Sequence, residues 1–336
     1  MRFGENLYNL RKASKMSQEN LAEKVEVSRQ SISKWELGEA YPEMNNIIKL
    51  CKLFQCQIND LINDNLVDIE SFDRETKKFQ KNYERFLGFA QIYDQGRPEL
   101  PDIAIEILKK YIENEKIDTI VDIGCGTGLS TNVCENYENK VIGVEPSVDM
   151  LNIARLKENN KVKFVQGWGD KTGLESEFAD IVICSQAFHW MEPKSTINEV
   201  YRILKKGGIF AVIDADYPPV IGKELEKLVW EWHEKTAKLE NRKSNWISGK
   251  SEHLNNIRAT NLFEYTREIC FSSIEKYDKE RYKKFMLSQS SMQQAIKNNY
   301  DLIMEELNLL DEQLDRLFRD NVLDAIYSYK MRIGIK

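Results

Sequence analysis

Residues 121–128 read VDIGCGTG, a strand-like apolar run that ends in three glycines spaced by one residue, Gly124, Gly126 and Gly128. Backbone with so little side chain lets a phosphate- or sugar-bearing ligand come close. Three ligands are open on this stretch alone: a dinucleotide, a nucleotide phosphate, or S-adenosylmethionine (SAM).

The neighbouring residues narrow the choice. The dinucleotide pattern G-x-G-x-x-G needs a sixth-position glycine, and Leu129 stands there. No Gly-Lys-Ser/Thr follows, so the P-loop pattern fails too. The next apolar run, KVIGVEPS, carries Glu145, 17 residues past Gly128. An acid at the tip of a second strand can accept two hydrogen bonds from a ribose diol. Nicotinamide and adenosyl ligands both offer one, and the missing third-glycine geometry favours a ligand without a pyrophosphate.

Further outward, TIVDIG, KVIGVE, VKFVQG, DIVICS and GGIFAVID are short apolar runs, each followed by a more polar, helix-compatible stretch. That alternation predicts βαβ units and a parallel sheet. After Asp216 the pattern turns helical (KELEKLVWEWHEKTAKLE), and TREICFSSI then reads as a strand. One long helical stretch is expected from about 278 to 320, and the tail VLDAIYSYKMRIG can close a sheet. Residues 3 to 64 read as short helices without a strand, among them SQENLAEKV capped by Ser17, SRQSISKWELG capped by Ser28, MNNIIKLCKLF and CQINDLI. The polar segment at 67–82 reads as a linker between domains at 1–66 and 83–336.

The 336 residues carry a formal net charge of −6, and residues 1–66 are neutral, with nine basic and nine acidic side chains. No basic domain announces a nucleic-acid partner. Six cysteines form no CxxC pair and only three histidines accompany them, so no metal centre is expected. No run is long and apolar enough to cross a membrane, the N-terminus lacks an apolar signal segment, and a reducing cytoplasmic setting fits.

VDIGCGTGLS, VIGVEPSVDML, VKFVQGWGDKTGL, DIVICSQAFHWM and RILKKGGIFAVID resemble, in order and spacing, the successive motifs of class I SAM-dependent methyltransferases. QAFHW and the upstream IYDQGRPELP are most similar to the small-molecule, trans-aconitate-type branch. The resemblance implies a Rossmann-like α/β domain with a mostly parallel seven-stranded sheet and helical insertions. It implies that Gly124 and Gly126, with Cys125 between them, approach the methionine portion of SAM, and that Asp122 anchors the loop and the ligand ammonium. Glu145 would hold the ribose hydroxyls. Pro146 and Met150 would pack on the adenine, Trp168, Gly169 and Asp170 would border its edge, and Ser185 and Gln186 would face the methionine end. Tyr93 and Arg97 would reach the SAM carboxylate or cap the pocket. Trp168 stands where the family has an acid or small residue, and Leu100 replaces a tyrosine of the upstream segment.

Methyl transfer from a sulfonium needs alignment above all, and a base only if the acceptor carries a proton. His189 is the candidate base, set against a reading in which it and Trp190 merely pack the turn after the fourth strand. His233 and His253 read as surface residues, and the WEWHE stretch as partial core. No D/N/S-P-P-Y/F/W tetrapeptide follows the fourth strand, where SQAF stands, so methylation of DNA is disfavoured.

The N-terminal stretch from Leu10 to Ile62 resembles the phage-repressor-like (XRE-type) helix-turn-helix, an all-α domain. The resemblance implies a double-stranded DNA operator as partner and a homodimer on a two-fold site. Ser28 starts the recognition helix, Arg29, Gln30 and Ser31 would meet base edges, and Gln18 and Lys34 would meet phosphates. A helix-turn-helix kept for protein contacts is the alternative. The expected protein is a DNA-binding regulator fused to a SAM-dependent methyltransferase with a small-molecule acceptor, or a SAM- or metabolite-sensing regulator without turnover.

Overall fold

Two serine caps shape the N-terminal unit. Ser17 accepts from the Asn20 N–H at 3.0 Å and starts α2 (Gln18–Val25). Ser28 accepts from the Ser31 N–H at 3.1 Å and starts α3 (Arg29–Glu36). With α1 (Phe3–Ala13) and α4 (Met44–Phe54) they close over a small core that includes Phe3, Leu7, Leu21, Val25, Ile32, Trp35 and Leu50. The computed structural model describes residues 3–38, 40, 42, 44–54, 86–112, 117–137, 140–239 and 249–336. The expected CQINDLI helix and the expected linker lie outside them. The chain divides into two compact units, 1–77 and 78–336.

The second unit begins with α5 (Ala90–Gly96) and α6 (Ile103–Lys109). Strands and helices then alternate but for one step: β1 (Thr119–Ile123), α7 (Leu129–Cys134), β2 (Lys140–Glu145), α8 (Val148–Arg155), β3 (Val162–Gln166), β4 (Ala179–Ser185), α9 (Pro193–Ile203) and β5 (Leu204–Ala215), with turns in place of the helix expected after VKFVQG. After α10 (Lys223–Leu239) and α11 (His253–Ala259) come β6 (Tyr265–Tyr277), α12 (Lys279–Leu287), α13 (Ser290–Asn298), α14 (Tyr300–Phe318) and β7 (Leu323–Ile335). The seven strands order as β3-β2-β1-β4-β5-β7-β6. Strands β1 to β5 pair in parallel, while β7 runs antiparallel to both β5 and β6.

Alternation along the central strands sorts side chains to two faces. Ile120, Ile181, Ile183 and Ile213 join one core, and Val121, Ile123, Val182 and Val212 the other. A parallel sheet covered on both faces needs such continuous apolar runs. The helical stretch expected at about 278–320 is there and divides into three helices. At the first break Ser288 and Gln289 turn their side chains back onto the Phe285 carbonyl, at 2.7 and 3.2 Å, and Asn299 forms the second. The arrangement brings the carboxyl ends of β1, β2, β4 and β5 to one edge, with the order reversing between β1 and β4, where open α/β sheets bind ligands.

Candidate functional site

The glycine loop leaves β1 under tight control. The Gly124 and Cys125 N–H groups both donate to the Val144 carbonyl, at 2.8 and 3.2 Å. Gly124 has φ +72°, and a Cβ there would lie 2.6 Å from Ala187 Cβ and 2.7 Å from Met191 Cε. Gly126 has φ +56° and faces the Tyr93 ring, 3.8 Å from where its Cβ would stand. Left-handed backbone at both positions explains the residue type without any ligand.

Two buried carboxylates flank the loop. Asp122, at the end of β1, accepts on Oδ2 from Ser130 (2.6 Å) and Thr131 (2.8 Å) of α7, while its buried Oδ1 has no partner. Glu145, at the tip of β2, accepts on Oε2 from the Gly126 N–H at 3.0 Å and on Oε1 from the Ser147 N–H at 2.9 Å. Burial pushes Asp122 up to about 6, against the Ser130 and Thr131 hydroxyls. Burial likewise pushes Glu145 up to about 7, against its two backbone donors. Each carboxylate oxygen of Glu145 keeps a further lone pair for a ligand hydroxyl. A buried acceptor without a donor costs about 1–3 kcal/mol, so the Asp122 Oδ1 fits a ligand that brings a donor, as the SAM ammonium does directly or through water.

The other expected residues distribute unevenly. Tyr93 lies over the loop, with the Arg97 guanidinium 5.1 Å from its ring centroid. Arg97 donates to the Ser288 carbonyl and the Gln289 amide oxygen, at 3.1 and 3.0 Å, so the side chain expected at the SAM carboxylate is tied to the α12–α13 junction. Trp168 through Lys171 form a tight turn after β3. Its Gly169 would press a Cβ onto Met191 Sδ at 2.7 Å. Met191 therefore touches both that turn and the glycine loop, a link the sequence reading missed. Pro146 offers its carbonyl to Gln166. Met150 is buried and Asp170 exposed. Ser185 ends β4. Gln186 follows at φ +55° and accepts from the Lys250 ammonium at 3.1 Å.

His189 sits in the short turn Phe188–Trp190, and its surroundings were not legible from sequence. Its Nδ1 lies 3.5 Å from Asp214 Oδ1, and the Lys250 Nζ lies 3.5 Å from the same oxygen. Asp214 Oδ2 faces His253 Nε2 at 3.4 Å and accepts from Arg332 at 2.9 Å. Arg332 also donates to Glu268 at 2.8 Å. His253, read as a surface residue, is 2 % exposed, because α11 lays its first turn against Asp214 and Phe188. Burial lowers His189 and takes His253 down to about 4, against the pull of Asp214 in both cases. Burial would raise Asp214, yet His189 and Lys250 prevail and hold it low. The donor atoms of His189, Asp214 and His253 lie within 4.8 Å of one another, the spacing of a metal-ligand set. Arg332 and Lys250 already place two cations on that carboxylate, which opposes a divalent ion. The WEWHE stretch divides, with Trp232 buried in the core and Trp230 exposed.

In the N-terminal unit, Arg29, Gln30 and Lys34 are exposed and Ser31 half-buried, while Ile32 and Trp35 face the core. Ser28 caps α3 and leaves its first turn open. The Gln18 amide nitrogen, expected at a phosphate, donates instead to Glu36 at 2.8 Å, beside the two-pronged Arg11–Glu36 pair.

Residues 121–212 match the family described as "Methyltransferase domain" and residues 7–61 the family described as "Helix-turn-helix". The Saccharomyces cerevisiae "Probable S-adenosylmethionine-dependent methyltransferase CRG1" is 35% identical over 144 residues, covering 41% of this chain and 47% of the yeast protein. The chain thus spans about half the length of that relative. An uncharacterized methyltransferase of Schizosaccharomyces pombe is 26% identical over 242 residues, covering 68% of this chain and 84% of that protein. The solved structure of a candidate type II methyltransferase from Anaeromyxobacter dehalogenans covers 71% of this chain and 97% of its own, with TM-score 0.56 and 17% identity. That likeness shows the fold. The chain carries a helix-turn-helix domain and a methyltransferase domain of Rossmann-like architecture. Among the described residues no helix is long and apolar enough to cross a membrane.

Proposed function

We propose that the chain is a SAM-dependent methyltransferase acting on a small molecule and joined to a DNA-binding regulator domain. The observation that carries the SAM site is the unpartnered, buried Oδ1 of Asp122 at the end of β1, beside Glu145 at the tip of β2. When bound, SAM supplies a methyl group on an activated sulfonium. Glu145 holds the ribose hydroxyls, Asp122 the ammonium side, and Gly124 to Gly126 the methionine backbone. Tyr93 caps the loop. Trp168, Gly169 and Asp170 border the adenine, with Pro146 and Met150 beneath it, and Ser185 and Gln186 border the methionine end. His189 stands on the acceptor side. Ser28, Arg29, Gln30 and Ser31 read an operator, with Lys34 on its phosphates, as the exposure of the α3 first turn supports.

The test is twofold on the full chain. SAM binding is measured by titration, followed by release of labelled methyl over a metabolite panel. A random duplex pool is then selected on the chain with and without SAM. Saturable SAM binding with turnover and an enriched two-fold motif is the expected result. Binding without turnover would leave a SAM-sensing regulator, and no enriched motif would leave the helix-turn-helix as a docking module.

A further inference from the structure

We propose that Asp214 fixes His189 as its Nδ1–H tautomer, so that the free Nε2 serves as the base for a hydroxyl methyl acceptor, an alcohol or phenol. This rests on the methyltransferase reading above and adds the acceptor's chemical class.

The geometry carries it in three steps. First, His189 Nδ1 is fully enclosed and faces Asp214 Oδ1 at 3.5 Å, with no other partner. A lone pair aimed at a carboxylate is repelled, so the nitrogen there carries the hydrogen, and the lone pair is left on Nε2. The ring's remaining exposure, 10%, lies away from Nδ1. Second, Asp214 is held through its other oxygen. Arg332 holds its other oxygen at 2.9 Å from β7, and Glu268 of β6 holds Arg332 in turn. His253 of α11 closes that oxygen's side at 3.4 Å. Three strands thus aim one imidazole. Third, the turn that carries His189 belongs to the ligand edge of the sheet. Ala187 and Met191 abut Gly124, and Trp190 meets Phe86, which meets the Tyr93 ring.

Electrostatics agree with the role. Lys250 and Arg97 are the cations whose charge acts on His189, Asp214 is the anion beside it, and His253 stacks on it as a neutral ring at 6.4 Å. Asp216 lies near Lys250, and Glu268 answers Arg332. Burial and the two cations keep the imidazole neutral near pH 7, the form a base needs. Asp214 then stabilises the imidazolium once it forms. In the reaction the acceptor oxygen bonds to the methyl carbon as the carbon–sulfur bond breaks. The electron pair stays on sulfur, and the hydroxyl proton passes to Nε2. A carboxylate acceptor has no proton to give. Asp214, His253 and Arg332 are buried behind the site, and enclosing ionisable groups there is costly without such a return.

The three histidines of the chain allow a direct test. The full chain is labelled with ¹⁵N-histidine and read by long-range ¹H–¹⁵N correlation at pH 7.5. His189→Gln assigns the signals. We expect His189 neutral with hydrogen on Nδ1, and a switch to the Nε2–H form in Asp214→Asn. The native spectrum decides the tautomer even where that variant fails to fold. Methyl transfer from labelled SAM is then compared on a set of phenols and the benzoates of matching substitution. Transfer to phenols should fall roughly 10²–10⁴-fold in His189→Gln, with the affinity for SAM unchanged. An Nε2–H or charged His189 in the native chain overturns the proposal. So does transfer confined to benzoates, transfer to phenols that survives His189→Gln, or no transfer to any phenol by a SAM-bound chain. A folded chain that does not bind SAM would instead overturn the reading on which the proposal rests.

Discussion

The Gly126 N–H donates to Glu145 Oε2 at 3.0 Å, so the acid at the tip of β2 holds the glycine loop of β1 in place before any ligand is bound. Its other oxygen secures the Ser147 N–H at the start of α8. Replacing Glu145 with Ala removes both anchors together with the acceptor of the ribose diol. The expected loss of SAM affinity is about 1.5–3 kcal/mol for each charge-assisted hydrogen bond lost. Glu145→Gln keeps the shape and one acceptor oxygen, and should lose less. Calorimetric titration of both variants checks this, and equal affinity in all three proteins would refute the ribose assignment.

Proton linkage gives a second prediction. Asp122 and Glu145 sit near 6 and 7 in the fold, above their ordinary values of 3.8 and 4.5, because burial disfavours their charge. The folded state therefore holds protons that the unfolded chain has released. Their contribution to stability is full below about pH 4 and is lost as the pH rises through 6 to 7. Urea unfolding should show the native chain losing stability relative to Glu145→Gln between pH 5 and pH 8. Donors from bound SAM favour the ionised forms, so binding at pH 6.5 should release protons and binding at pH 8.5 should release almost none. Titration in two buffers of different ionisation enthalpy reads the sign, and proton uptake would show that the two carboxyls do not ionise on binding.

Much of this site was legible because the chemistry sits at strand ends. The run TIVDIGCGTG and the acid of KVIGVE announce a turn and a carboxylate wherever a parallel sheet forms. What stayed hidden depends on partners far apart in the chain. Asp214 and Arg332 are 118 residues apart and meet diagonally across β5 and β7. The available signal was a charged residue inside each of two apolar runs, GGIFAVIDA and YKMRIG, since a buried charge needs a partner. His253 was missed because HLNNIRA has no apolar stripe of its own; the carboxylate it meets lies on another element. Arg97, expected at the SAM carboxylate or capping the pocket, and Gln18, expected at a phosphate, each find an acceptor within their own unit.

Helix α5 carries Tyr93 and reaches α12 through a glycine. A Cβ on Gly96 would lie 2.5 Å from the Lys284 carbonyl carbon and 2.6 Å from the Phe285 nitrogen, both backbone atoms that cannot swing aside. Gly96→Ala should therefore push α5 off α12 and lift Tyr93 from the glycine loop. Overpacking of this kind costs about 1–3 kcal/mol. Thermal melting should show that loss, and SAM titration a weaker affinity. An unchanged melting temperature and affinity would show that the contact yields freely.

On DNA, the exposed first turn of α3 separates two classes of effect. Arg29→Ala or Gln30→Ala should cost roughly 1–3 kcal/mol on the selected operator and relax preference at one base pair. Lys34→Ala should weaken all sequences alike and reduce the salt slope by about 0.9. Salt titrations of the three variants on operator and random duplex distinguish the classes. A Lys34 variant that alters sequence preference would reverse the assignment.

Whether the paired carboxylates at the ends of β1 and β2 hold SAM is decided by calorimetric titration of the full chain with SAM at pH 8, beside the Asp122→Asn variant. Asparagine keeps the size of the side chain but removes the charge that faces the ligand ammonium. Saturable one-to-one binding by the native chain and a clear loss of affinity in a folded variant are expected. A native chain that melts cooperatively and gives no saturable heat with SAM would contradict the SAM assignment.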